Sequence, residues 1–204
     1  VALGDTALDS VAASGNNNTA VGSSAGTAIT TGDNNTLIGS LAGDALDAGG
    51  NNVAIGFRAL SAEDGHGTNI AIGSDTLKVQ NAGANAYNIA IGHDAGKAVS
   101  TGVKNTLIGG SAGDSLTTNG LNVAVGYGAL STEDTGSRNV AIGVSALSSQ
   151  NSDTTNYNVA VGYNSGAAIT TGINNTLIGG LAGDSLTDAD YNTAVGFGAL
   201  GTDV

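Results

Sequence analysis

The 204-residue chain contains no Pro, no Cys, no Met and no Trp, and aromatic residues make up only 3% of it. Without cysteine it has neither disulfides nor thiolate ligands, and it is indifferent to the redox state of its surroundings. With so few large side chains, a core must be assembled from Ala, Val, Ile and Leu, which favours thin layers stacked many times over. Positive charge is scarce as well. Five Lys and Arg oppose 17 Asp and Glu, for a formal charge of −12. Arg58, Lys78, Lys97, Lys104 and Arg138 form no basic run, so neither nucleic acid nor anionic membrane is an expected partner. No apolar run approaches the roughly 18 residues of a membrane span.

What the chain has in abundance is glycine, 34 residues of it, and the glycine is periodic. The motif N-x-A-[IV]-G recurs with its Asn at Asn18, Asn35, Asn52, Asn69, Asn88, Asn105, Asn122, Asn139, Asn158, Asn175 and Asn192. The steps are 17, 17, 17, 19, 17, 17, 17, 19, 17 and 17 residues, and a further copy at Val1-Ala2-Leu3-Gly4 makes twelve. Four copies form a 70-residue block, and residues one or two blocks apart are nearly identical, as in T-G-D-N-N-T-L-I-G from Thr31 and T-G-I-N-N-T-L-I-G from Thr171, two blocks on. Periodicity of this kind marks a repeat architecture. No linker interrupts it, so residues 1–204 read as one domain. The entry inside a motif at Val1 and the exit in mid-loop at Val204 read as a fragment of a longer fibre.

Each copy supplies a short β-favouring run, such as Asn52-Val53-Ala54-Ile55-Gly56, before Gly, Asn, Asp, Ser and Thr take over as turn chemistry. The predicted fold is therefore all-β: a parallel β-solenoid of about twelve 17–19-residue coils. At roughly 4.8 Å per coil it makes a rod on the order of 55 Å long. Side chains two apart share a strand face. Val53 and Ile55, or Ile70 and Ile72, are expected to fill the interior, while Ala54 and Gly56 face a second chain whose backbone comes close; the alternative is that the Ala-Gly face packs across the inside of the same chain's solenoid. On this reading Leu37, Leu107 and Leu177, which replace the Ala in one coil of each block, plug a seam between three identical chains. The Asn at the head of each copy is expected to stack into a structural ladder. Two coil types follow the strand: A-G-x-[AS]-[ILV], as from Ala25-Gly26 to Ile29, and [AT]-L, as at Ala59-Leu60.

The run Asn69-Ile70-Ala71-Ile72-Gly73 resembles the S-V-A-I-G signature in the left-handed parallel β-roll heads of trimeric autotransporter adhesins. The stretch from Asn192 to Leu200, N-T-A-V-G-F-G-A-L, is similar to N-T-A-x-G-x-x-A-L arrays in phage tail fibres and surface proteins that end in an endosialidase-type chaperone domain. The resemblance covers the whole chain, although adhesin heads use shorter coils. It implies a homotrimeric, extracellular fibre segment on a virion tail or a bacterial surface, with a cell-surface glycan or protein receptor as partner.

Candidate chemistry is sparse. His66 and His93 lie in different coils without repeated equivalents, which argues against a catalytic role. Glu63-Asp64 and Glu133-Asp134, one block apart, read as solvated turns rather than acid/base or calcium pairs. Asp44, Asp114 and Asp184 read as turn or cap residues. Gly196 to Gly201 matches G-x-G-x-x-G, but no strand-helix unit of the dinucleotide-binding kind surrounds it. No catalytic, cofactor-binding or metal-binding residue is expected. Phe57, Tyr127 and Phe197 share one coil position, with Tyr163 at the matching place in the other coil type, and are candidate receptor or glycan contacts. The expected function is a non-catalytic structural or adhesive fibre segment used in attachment. The alternatives are a glycan- or ice-binding solenoid, with Thr19, Thr36, Thr106, Thr176 and Thr193 in one column, and last a hexapeptide-type β-helix enzyme.

Overall fold

The structure, a computed structural model, describes residues 1–10 and 15–201; the exit at Val204 lies outside them. Each motif copy forms one strand: β1 (Ala2–Leu3), β2 (Thr19–Val21), β3 (Thr36–Ile38), β4 (Val53–Ile55), β5 (Ile70–Ile72), β6 (Ile89–Ile91), β7 (Thr106–Ile108), β8 (Val123–Val125), β9 (Val140–Ile142), β10 (Val159–Val161), β11 (Thr176–Ile178) and β12 (Thr193–Val195). They form a single parallel sheet in chain order, which makes the chain a β-solenoid. Equivalent motif residues are paired, for example Val53 with Ile70 and Ala54 with Ala71. Among the described residues there is no helix.

The strands are three residues long because the residues at both borders cannot extend them. The closing Gly takes φ near +135°, as at Gly56 (φ 138°) and Gly73 (φ 134°), a conformation that L side chains rarely adopt. A Cβ on Gly56 would also lie 2.3 Å from the Gly73 carbonyl oxygen of the next coil. At the other border, the residue before each ladder Asn is left-handed whatever its identity: Asn51 (φ 60°), Thr68 (φ 63°), Tyr87 (φ 54°) and Leu121 (φ 66°). Roughly 1–2 kcal/mol of strain per such residue is tolerated because the following Asn locks the corner. Coil-to-coil bonds continue past the strands, as in Arg58 N–H to Ser40 O at 3.0 Å and Leu60 N–H to Thr76 O at 3.0 Å, so the whole coil is a rung.

The two faces of the strand are the reverse of the sequence expectation. The Ala column points into the coil and is fully buried, from Ala20 through Ala54 and Ala124 to Ala160. Leu37, Leu107 and Leu177 belong to that column, are also fully buried within the single chain, and are core residues rather than a trimer seam. The β-branched residues point outward: Ile38 and Ile178 are 38% and 41% exposed. The Ala column shares one core with a second buried column that includes Ala25, Ala42, Ala59 and Ala129, and the larger buried aliphatics, such as Ile29 and Leu60, come from later positions of the coil. A Leu fits only where glycines make room. Cβ atoms on Gly26 and Gly43 would lie 2.7 and 2.8 Å from the δ-methyls of Leu37.

Candidate functional site

The two coil types differ in how they fill this interior. The position eight residues after the ladder Asn is left-handed throughout, being Gly26, Gly43, Gly96 and Gly113 in one type and Leu60, Leu77, Leu130 and Leu147 in the other. Three residues further on, the Gly coils bury an aliphatic side chain: Ile29, Leu46, Val99, Leu116 or Ile169. In the Leu coils the same place holds a buried polar group: Glu63, Gln80, Glu133 or Gln150. Once Leu occupies the inner space, the later position is free to serve the Asn ladder beside it.

That ladder is continuous. The backbone N–H of each Asn from Asn35 to Asn192 donates to the side-chain oxygen of the Asn one coil earlier, at 2.8–3.3 Å. In 17-residue coils the side-chain NH₂ reaches a carbonyl 14 residues on, as from Asn18 to Gly32 (2.7 Å) and from Asn122 to Gly136 (3.0 Å). In the 19-residue coils opened by Asn69 and Asn139 that NH₂ is buried with no hydrogen-bond partner. Gln80 and Gln150 accept bonds from Asn88 (2.7 Å) and Asn158 (2.6 Å) in the coils that follow.

The two glutamates are buried completely, which corrects the expectation of solvated acidic turns. Glu133 is well served: Gly136 N–H at 2.7 Å, Ser152 N–H at 3.3 Å and the Asn156 amide at 2.7 Å all donate to it. Burial raises its pKa and those three donors oppose the rise. Glu63 has Ala82, Ala86 and His66 where Glu133 has Ser152, Asn156 and Gly136. Neither of its oxygens has a hydrogen-bond partner. Burial, then the charge of Asp64, push its pKa up to about 7; the His66 backbone N–H leans toward it and lowers the pKa, but not in hydrogen-bond geometry. The His66 ring nitrogen Nδ1 stands 3.8 Å from the carboxylate and is likewise buried without a partner.

The aromatic candidates lie together on one border of the sheet, just after the strand-closing Gly. Phe57, Tyr127, Tyr163 and Phe197 are 45–82% exposed, and the Arg58 guanidinium lies 4.5 Å over the Phe57 ring. Sequence reasoning missed that the opposite border, one residue before the ladder Asn, carries exposed Tyr87, Leu121, Tyr157 and Tyr191. Their shared offset from the Asn was the available signal. Between the borders run the outward columns, Thr19 to Thr193 and Val21 to Val195, uncharged along their length.

Three of the five cations, scattered in sequence, meet acids within or between coils. Arg58 pairs with Asp75 (2.8 Å), Lys78 with Asp75 (3.7 Å), and Lys97 with both Asp94 and Asp114 (3.3 Å each). These pairs are partly exposed and contribute little each. Asp114 thus has a cation, whereas Asp44 at the same coil position has a buried oxygen without a hydrogen-bond partner and a pKa raised by burial. His93 lies beside Asp94 (3.6 Å), far along the chain from His66. Comparison with family models, curated proteins and solved structures returns no match to this chain.

Proposed function

We propose that this chain is a non-catalytic, structural and adhesive segment of an extracellular fibre, and that it assembles with two further copies of itself through the outward face of its sheet. The observation that carries this reading is that face. Eleven three-residue strands each present two outward side chains, 22 in all, all of them Val, Ile or Thr, with aromatics along both borders. An uncharged, β-branched surface of this extent is far larger than the scattered apolar residues of an ordinary monomer. It matches the roughly 20–30 residues a side of a standard interface.

A second copy is the fitting partner because it carries the same columns at the same rise per coil, so every rung meets a rung. The absence of charge in the columns removes repulsion between identical surfaces, and a three-fold axis closes the assembly without leaving a free apolar edge. The seam is then the Val/Ile side, not the Ala/Gly side expected from the motif alone. Phe57, Tyr127, Tyr163 and Phe197 lie at its rim, where three copies present each contact three times and attachment to a glycan or protein receptor gains by effective concentration. The resemblance to phage tail fibres and trimeric adhesin heads supports the same reading.

Light scattering of the full chain at micromolar concentration is expected to give the mass of three chains. The pair Ile72→Glu with Ile91→Lys, neighbours in one column, keeps a favourable cross-strand pair in the monomer but buries charge in the seam. It should give a folded monomer by circular dichroism and scattering. A parent chain that is monomeric, or a double variant that stays trimeric, removes the basis of this proposal.

A further inference from the structure

Equivalent positions one block apart often carry equivalent contacts in this chain, and the surroundings of Glu63 depart from that pattern. At Glu133 three donors converge on the carboxylate. At Glu63 the amide donor is replaced by the buried Ala86, the carboxylate has no hydrogen-bond partner, and an imidazole stands where the second block has only Gly136. One carboxylate oxygen each from Glu63 and Asp64 and a ring nitrogen of His66 all lie within 4.8 Å of one another. A buried carboxylate with no donor is an expensive arrangement unless a cation completes it.

We propose that Glu63, Asp64 and His66 bind one divalent transition-metal ion of the zinc class. The donor set selects the ion: one imidazole nitrogen and two carboxylate oxygens suit Zn²⁺, Co²⁺ or Ni²⁺, whereas Ca²⁺ wants six to eight oxygens. Three protein ligands from one four-residue segment leave a coordination position for water. The ion neutralises Glu63 and ties the exposed loop from Asp64 to His66 back to the interior. Among the described residues it occurs once, because Gly136 and Asn156 remove the ligand and fill the need in the second block.

Titration calorimetry of the chelator-treated full chain with Zn²⁺ tests this, with the thermal midpoint as a second readout. One ion per chain and a raised midpoint are expected. His66→Gly, which installs the residue of the second block, should weaken binding by about tenfold or more, as should Glu63→Gln. His93→Tyr, which installs the residue found at Tyr163, should leave binding intact. The proposal is overturned by no saturable binding at about 100 µM Zn²⁺, by binding that survives His66→Gly, by binding lost in His93→Tyr, or by Ca²⁺ binding as tightly as Zn²⁺.

Discussion

Glu63 and Glu133 occupy one coil position 70 residues apart, both fully buried, yet the first is unpaired and the second accepts three hydrogen bonds. The solenoid scaffold around them is the same: both follow a Leu in left-handed conformation, Leu60 or Leu130, and both precede a coil of 19 residues. The difference lies in the surrounding loops: two backbone N–H groups and the Asn156 amide reach Glu133, while the loops around Glu63, with His66 for Gly136 and Ala86 for Asn156, bring no such donor into hydrogen-bond geometry. In a repeat protein the backbone ladders hold each coil in place, so a single rung can carry an electrostatically poor group without loss of the fold, and duplicated positions are free to diverge.

The largest break in this comparison is expected from truncation. Glu133→Ala strands the Gly136 and Ser152 N–H groups and the Asn156 amide, at about 1–3 kcal/mol for each buried donor left unpaired. Glu63→Ala strands none and, in chelator, should cost under about 1 kcal/mol. Urea denaturation of the two variants reads the contrast directly, and equal losses would show that the bonds to Glu133 contribute nothing net.

A smaller effect is expected from pH. The unfolded chain releases the Glu63 proton near 4.5, while the folded chain holds it to about 7. The folded state therefore binds more protons between these values. The contribution of Glu63 is fully present below pH 4.5 and is lost as pH rises through about 7. In chelator, Glu63→Gln should gain on the parent by about 2–3 kcal/mol between about pH 4.5 and pH 7.5, measured by urea midpoints at both. A constant difference across that range would mean that Glu63 ionises normally.

The smallest effect sharpens the comparison by making the two sites alike. Ala86→Asn gives Glu63 the amide that Asn156 gives Glu133, and should stabilise the chelated protein by about 1–2 kcal/mol while weakening Zn²⁺ binding by engaging a ligand oxygen. No change in either quantity would show that position 86 does not reach the carboxylate.

Much of the architecture was legible in the motif spacing. The twelve strands fall on the twelve copies, and the Asn ladder follows the Asn register, because a parallel solenoid must place equivalent residues above one another. The direction of the faces was not legible. Alternation says that Val53 and Ile55 oppose Ala54, but not which side is inside, and the usual preference for larger aliphatics in a core misleads where the coil takes its large side chains from later positions such as Ile29 and Leu60. Glu63 and Glu133 were hidden for a related reason. An adjacent pair of acids looks solvated, and only alignment with Ile29 and Leu46 in the Gly coils would have placed the first of each pair indoors.

By itself the sequence determined the repeat length, the parallel register and the ladder, since these depend on periodicity and on local turn chemistry that each coil carries within it. The tertiary structure alone decided that the alanines are the core, that the Val/Ile columns form an open face, and that Glu63 lacks the partners Glu133 has. Those outcomes depend on how each coil closes around its buried residues and on side chains brought together from neighbouring coils, neither of which any one motif encodes.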